Sequence, residues 1–233
     1  MTEEYEDFFI KEVTDTDAAL AMMAESFKEK WKTGFNYSAA TPVHFLGESL
    51  GELEKNPMLQ KNIYYCLLLY QYSAYLDKGE YLNDIAKKEV TKWECDGGLC
   101  IYLSALLHSL LIHDKLCSEN EIRYCQGLYR HECRADNLLG QFFGKNQYGL
   151  HAWLELNGAI LDIAIKQEEQ FFEFKAKPFI TGKVPEGLEL IGFREVTKTA
   201  KDYARMAAKS SGMKYNDWIA MHSREATKAY LLL

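Results

Sequence analysis

The hydrophobic positions of this chain change period along its length. In "TDTDAALAMMAESFKEKWKTG" (14–34), Leu20, Met23, Phe27 and Trp31 recur at three- and four-residue intervals, and Gly34 follows as a stop. That spacing predicts a helix. Thr41-Pro42 reads as an N-cap with proline at the first helical position. Asn56-Pro57 repeats the signal ahead of "MLQKNIYYCLLLYQYSAYLDKG", a helix expected to close near Gly79. A shorter helix fits 80–93. "CIYLSALLHSLLI" (100–112) is apolar on nearly every side and predicts a buried helix. Asp96, Gly97 and Gly98 before it offer a cap and a tight turn, which places Cys100 in the first helical turn.

Beyond that helix the period shortens. "IRYCQGLYR" (122–130), "LHAWLELNGAILDIAI" (150–165) and "FFEFKA" (171–176) are β-rich and partly alternating, and "LELIGFREV" (188–196) adds a strand. "RADNLLGQFFGKNQYG" (134–149), glycine-rich with exposed-looking aromatics, is expected to be a long loop of the functional or mobile kind. Asn157-Gly158 between two alternating runs predicts a hairpin closed by a two-residue type I′ turn. Leu156 then faces Ala159, and Trp153 faces Asp162. One face carries Leu150, Ala152, Leu154, Leu156, Ala159, Leu161, Ile163 and Ile165, all apolar and therefore core. The other carries His151, Trp153, Glu155, Ile160, Asp162 and Ala164. The tail returns to helix over 197–211 and again over 217–231, with Asn216 as its cap. The order predicts an α+β fold: a helical N-terminal part (1–93), a core of one buried helix on an antiparallel sheet (94–196), and a helical C-terminal tail (197–233).

Composition narrows the function. A chain of 233 residues with 48% hydrophobic and 26% charged residues builds an ordinary packed core. A net charge of −7 argues against nucleic acid or an anionic membrane as partner. The acidic start "MTEEYEDFFI" lacks the basic and apolar regions of a secretory signal, so a cytoplasmic location is expected. The six cysteines are expected to be free thiols. Cys125, His131 and Cys133 are the nearest approach to a zinc cluster, and their spacing is not that of a structural site, so no metal is expected. The tyrosines 64, 65, 70, 72 and 75 fit either a pocket lining or core packing with wet hydroxyls.

Three residues carry candidate chemistry. His151 and Asp162 are diagonal neighbours on one hairpin face, where Cα atoms lie about 7–8 Å apart and side chains close the gap. A carboxylate on one ring nitrogen orients an imidazole and leaves the other nitrogen as acceptor. Cys100, at a helix start, sits where the helix dipole and free N–H groups favour a thiolate and an oxyanion. Taken singly, Cys100 also fits a small buried hydrophobe and the pair also fits a structural contact. Together they form a Cys–His–acid set for nucleophilic acyl chemistry.

With "GGLC", "YLSALLHSLL", "RYCQGLYR", "HAWLEL" and "ILDIA" in this order, residues 95–165 resemble the transglutaminase-like branch of papain-fold cysteine enzymes. The resemblance implies a papain-like core, Cys100 as nucleophile, His151 as general base and acid, and Asp162 as orienting carboxylate. Gly98, Leu99 and Trp153 would lie against the substrate, a peptide or side-chain amide, and no cofactor would be needed. Two features depart from the family pattern. "HDKLCSENE" replaces the short step out of the central helix, and no side-chain oxyanion donor is assigned. Arylamine acetyltransferases share the triad, but the arginine before their glycines is absent from "CDGGLC". The competing expectations are a non-catalytic protein-binding module on the same fold and, third, a zinc protein.

Overall fold

The computed structural model describes residues 41–132, 146–170, 179–195 and 197–232, with Ala21 and Glu25. The expected helix at 14–34 therefore lies outside the described residues apart from those two helical positions. So do the strand at 171–176, Cys133, and 134–145 of the predicted loop.

Helix α1 (Pro57–Tyr75) begins as predicted: Asn56 accepts a hydrogen bond from the Met58 N–H at 2.9 Å, with Pro57 in the first turn. It stops where Leu76 turns left-handed, at φ 53°. Helix α2 (Asp84–Cys95) is capped by Asn83, which accepts from the Ala86 N–H at 2.8 Å. Helix α3 (Leu99–His113) is buried from Leu99 through Leu111 on every side, as a helix apolar all round must be. Helices α4 (Thr197–Ser210) and α5 (Tyr215–Leu231) close the chain and pack on α3 and α1.

The strands are β1 (Val43–Phe45), β2 (Ile122–Glu132), β3 (Asn146–Leu156), β4 (Ala159–Asp162), β5 (Ile180–Gly182) and β6 (Leu188–Glu195). They form one antiparallel sheet in the order β1-β6-β2-β3-β4-β5. The class is α+β, as expected. The sheet curls, and two opposed glycines mark a crease. A Cβ on Gly127 would fall 2.1 Å from the Ile191 carbonyl oxygen, and one on Gly192 would fall 2.3 Å from that of Gln126. Only glycine permits backbones to approach so closely.

The curl gives the sheet two buried faces. Tyr124, Ala152, Leu154 and Phe193 join the helices in the larger core. The alternate positions Cys125, Tyr129, Trp153 and Leu190 join Phe45 and Ile160 in a second, smaller core. The hairpin face that carries His151 and Asp162 is thus closed rather than polar and wet.

Four local expectations are corrected. Thr41-Pro42 opens strand β1, not a helix. That strand lies at the sheet edge, where a missing N–H is tolerated. Asp96 ends α2 through its backbone N–H; the residue before α3 is Gly98, with no side-chain cap, after Gly97 at φ 66°. Residues 146–149 extend β3 instead of belonging to the loop. Asn216 lies inside the first turn of α5, whose cap position is Lys214.

Candidate functional site

The hairpin forms in the predicted register. Leu156 pairs with Ala159 and Leu154 with Leu161, and Asn157 and Gly158 take φ of 49° and 83°, the two positive values of a type I′ turn. Beyond Asp162 the alternation ends. The Ala164 N–H donates to Asp162 Oδ1 at 3.0 Å, and this bend sends Ala164 to the larger core and Ile165 to the smaller one, the reverse of the expected faces.

His151 and Asp162 meet as the register requires. Nε2 of the imidazole lies 2.7 Å from Asp162 Oδ2, and both side chains are fully buried. The carboxylate at Nε2 fixes the orientation of the ring. Trp153 lies along the imidazole, with ring centroids 6.0 Å apart and planes 24° apart. Tyr129 meets it edge-on at 5.9 Å and 78°. Phe45 in turn packs edge-on against Trp153 at 5.1 Å.

Cys100 is the second residue of α3. It retains 8% exposure, against 1% for its neighbours Leu99 and Ile101. One turn further along, Ser104 Oγ donates to the Ala152 carbonyl at 3.1 Å, which rests this stripe of α3 on β3 beside His151. Among the described residues the thiol makes no hydrogen bond. Cys100 belongs to the larger core, whereas the neighbours of His151 on its own face belong to the smaller one. The structure therefore joins His151 to Asp162 and brings α3 against the same strand from the other face. Gly98 precedes α3 and Leu99 opens it, and Trp153 is buried against the His151 ring.

The other cysteines differ from Cys100 in setting. Burial pushes the Cys66 thiol well up, and burial followed by Glu121 pushes Cys117 up to about 11. Cys125 is buried in β2 opposite Trp153, and Cys95 is exposed. Among the described residues no three His, Cys, Asp or Glu side chains are arranged to hold a metal ion, and no helix is long and apolar enough to cross a membrane.

Sequence reasoning missed Tyr129 and Gly149. Their partnership depends on the β2–β3 register, which no local turn motif announces. Comparison of the chain with protein-family models, curated proteins and solved structures finds no match.

Proposed function

We propose that the protein is a cytoplasmic cysteine-dependent hydrolase or acyl transferase of the transglutaminase-like, papain-fold kind, acting on a peptide or side-chain amide. The observation that carries this reading is the fully buried His151–Asp162 pair, with Nε2 held at 2.7 Å. A carboxylate so placed keeps one tautomer and stabilises the imidazolium formed when Nδ1 takes a proton. The position of Cys100 at the start of α3 supports it further. In the proposed reaction the Cys100 thiolate adds to the amide carbonyl, and backbone N–H groups of the first turn of α3 receive the oxyanion. The C–N bond breaks as His151 protonates the departing amine. Water, or a second amine, then attacks the thioester and restores the thiol.

The test is the alkylation of the thiols below pH 7. Cys100 is expected to label faster than Cys95, although Cys95 is the exposed one, and His151→Gln is expected to abolish that advantage. Labelling of Cys100 no faster than Cys95, and indifferent to His151, would remove the enzyme reading.

A second reading is favoured by one observation: Cys100 belongs to the larger core, whereas Tyr129 and Trp153, which meet the His151 ring, belong to the smaller one. In a non-catalytic protein-binding module the His151–Asp162 pair would serve only to fill the smaller core. The same labelling experiment separates the two.

A further inference from the structure

We infer that Tyr129 is a positioning residue for the His151 imidazole, and that position 149 is glycine in order to admit its ring. The functional part of this inference rests on the hydrolase reading above.

Directly across β2 from His151 stands Gly127, which offers no side chain to hold the imidazole. The neighbouring pair on that face is Tyr129 and Gly149. A Cβ built on Gly149 would fall 1.9 Å from Tyr129 Cε1, 2.4 Å from Cζ and 2.5 Å from the phenol oxygen. The phenol therefore lies across the backbone of β3 at 149, two residues from His151 on the same face. Gly149 is not among the positive-φ glycines, so its backbone makes no demand that alanine would fail to meet. The demand is for space, and Tyr129 is what fills it.

The imidazole is thus held on three sides. Asp162 takes Nε2, Trp153 lies along one face at 6.0 Å, and the Tyr129 ring closes the side left open by Gly127, edge-on at 5.9 Å. Diagonal neighbours on a sheet are within reach of aromatic side chains, so this contact follows from register. It is the edge of the Tyr129 ring that meets the imidazole.

The experiment follows the ring nitrogens of His151 by NMR in the 15N-histidine-labelled full chain, together with the rate of Cys100 alkylation. Tyr129→Phe keeps the ring and is expected to leave both unchanged. Tyr129→Leu is expected to move the His151 nitrogen resonances and to slow Cys100 labelling roughly tenfold to a hundredfold, the scale of a misplaced catalytic group. Gly149→Ala, which evicts the phenol from the other side, is expected to reproduce that result, so either folded variant suffices. Unchanged His151 resonances in Tyr129→Leu would overturn the inference, as would Tyr129→Phe proving as harmful as Tyr129→Leu. Moved resonances with Cys100 labelling indifferent to both Tyr129 and His151 would uphold the placement and overturn the hydrolase reading.

Discussion

His151 Nε2 lies 2.7 Å from Asp162 Oδ2, and neither side chain touches solvent. The contact joins positions eleven residues apart through a two-residue turn, and it fixes the orientation of the imidazole.

Asp162→Asn keeps the shape of the pair and removes its charge. The expected result is a fall in Cys100 alkylation below pH 7 of about 10²-fold or more, since the imidazolium loses its counter-charge. Asp162→Ala also strips the acceptor from the Ala164 N–H, which Oδ1 holds at 3.0 Å. Each buried group left unpaired costs about 1–3 kcal/mol, so urea denaturation is expected to rank Asp162→Ala well below Asp162→Asn in stability.

The crease of the sheet predicts a contrast between glycines. Gly127→Ala would put a methyl 2.1 Å from a backbone carbonyl oxygen, which no side-chain movement relieves. Gly187→Ala meets nothing within 4 Å and suffers only from its φ of 82°. The second variant is expected to lose about 1–2 kcal/mol. Gly127→Ala is expected not to yield folded chain, as read by soluble expression and circular dichroism.

His108, on α3, is fully buried, and among the described residues neither ring nitrogen has a hydrogen-bond partner. Burial pushes its pKa from 6.5 down to about 4, with Glu119 working against the shift and Lys201 and Arg123 adding to it. A depressed folded value means that the unfolded chain takes up the proton first as pH falls. The stability of the neutral form is intact above 6.5 and is lost progressively between 6.5 and about 4. The loss is on the order of 3 kcal/mol. His108→Leu is expected to flatten this part of the stability profile, measured by denaturant unfolding across that pH range.

Glu89 anchors a second buried cluster. It accepts from Tyr102 Oη at 2.9 Å and Trp218 Nε1 at 2.9 Å, and lies 3.0 Å from His222 Nε2 and against Ser211 Oγ. His222 Nδ1 in turn meets Tyr65 Oη at 2.8 Å. Burial works to raise the Glu89 pKa, but the hydrogen bond and charge of His222, with bonds from Ser211 and Tyr102, bring it below the ordinary value. Its contribution is present above the ordinary carboxylate range and is lost as pH falls through the lowered value, a window more acid than that of His108. Glu89→Gln is expected to cost about 3–5 kcal/mol, as breaking a buried pair does. Amide exchange is expected to rise first in α4 and α5, which this carboxylate ties to α2 and α3.

At Asn56-Pro57 and at Asn157-Gly158 the pattern of residues sufficed. The Asn56 side chain accepts an N–H group in its own first turn, and Asn157-Gly158 pairs Leu156 with Ala159. From that register the meeting of His151 with Asp162 follows. β1 and β5 escaped notice because each is three residues long, and each is a strand only by pairing with β6 or β4. Pro42 misled for the same reason: a proline before an edge strand carries the same local mark as one opening a helix.

The sequence by itself determined the central helix, the hairpin, its register and the pairing of imidazole with carboxylate, because side-chain period and backbone turns are short-range properties. Only the tertiary structure decided that the sheet creases at Gly127 and Gly192, that both hairpin faces are buried, that Tyr129 lies over Gly149, and that Glu89 gathers donors from three other segments. Each of these depends on two or more segments meeting across long stretches of chain. Which segments meet is settled by packing and loop closure over the whole molecule, not by any window of neighbouring residues.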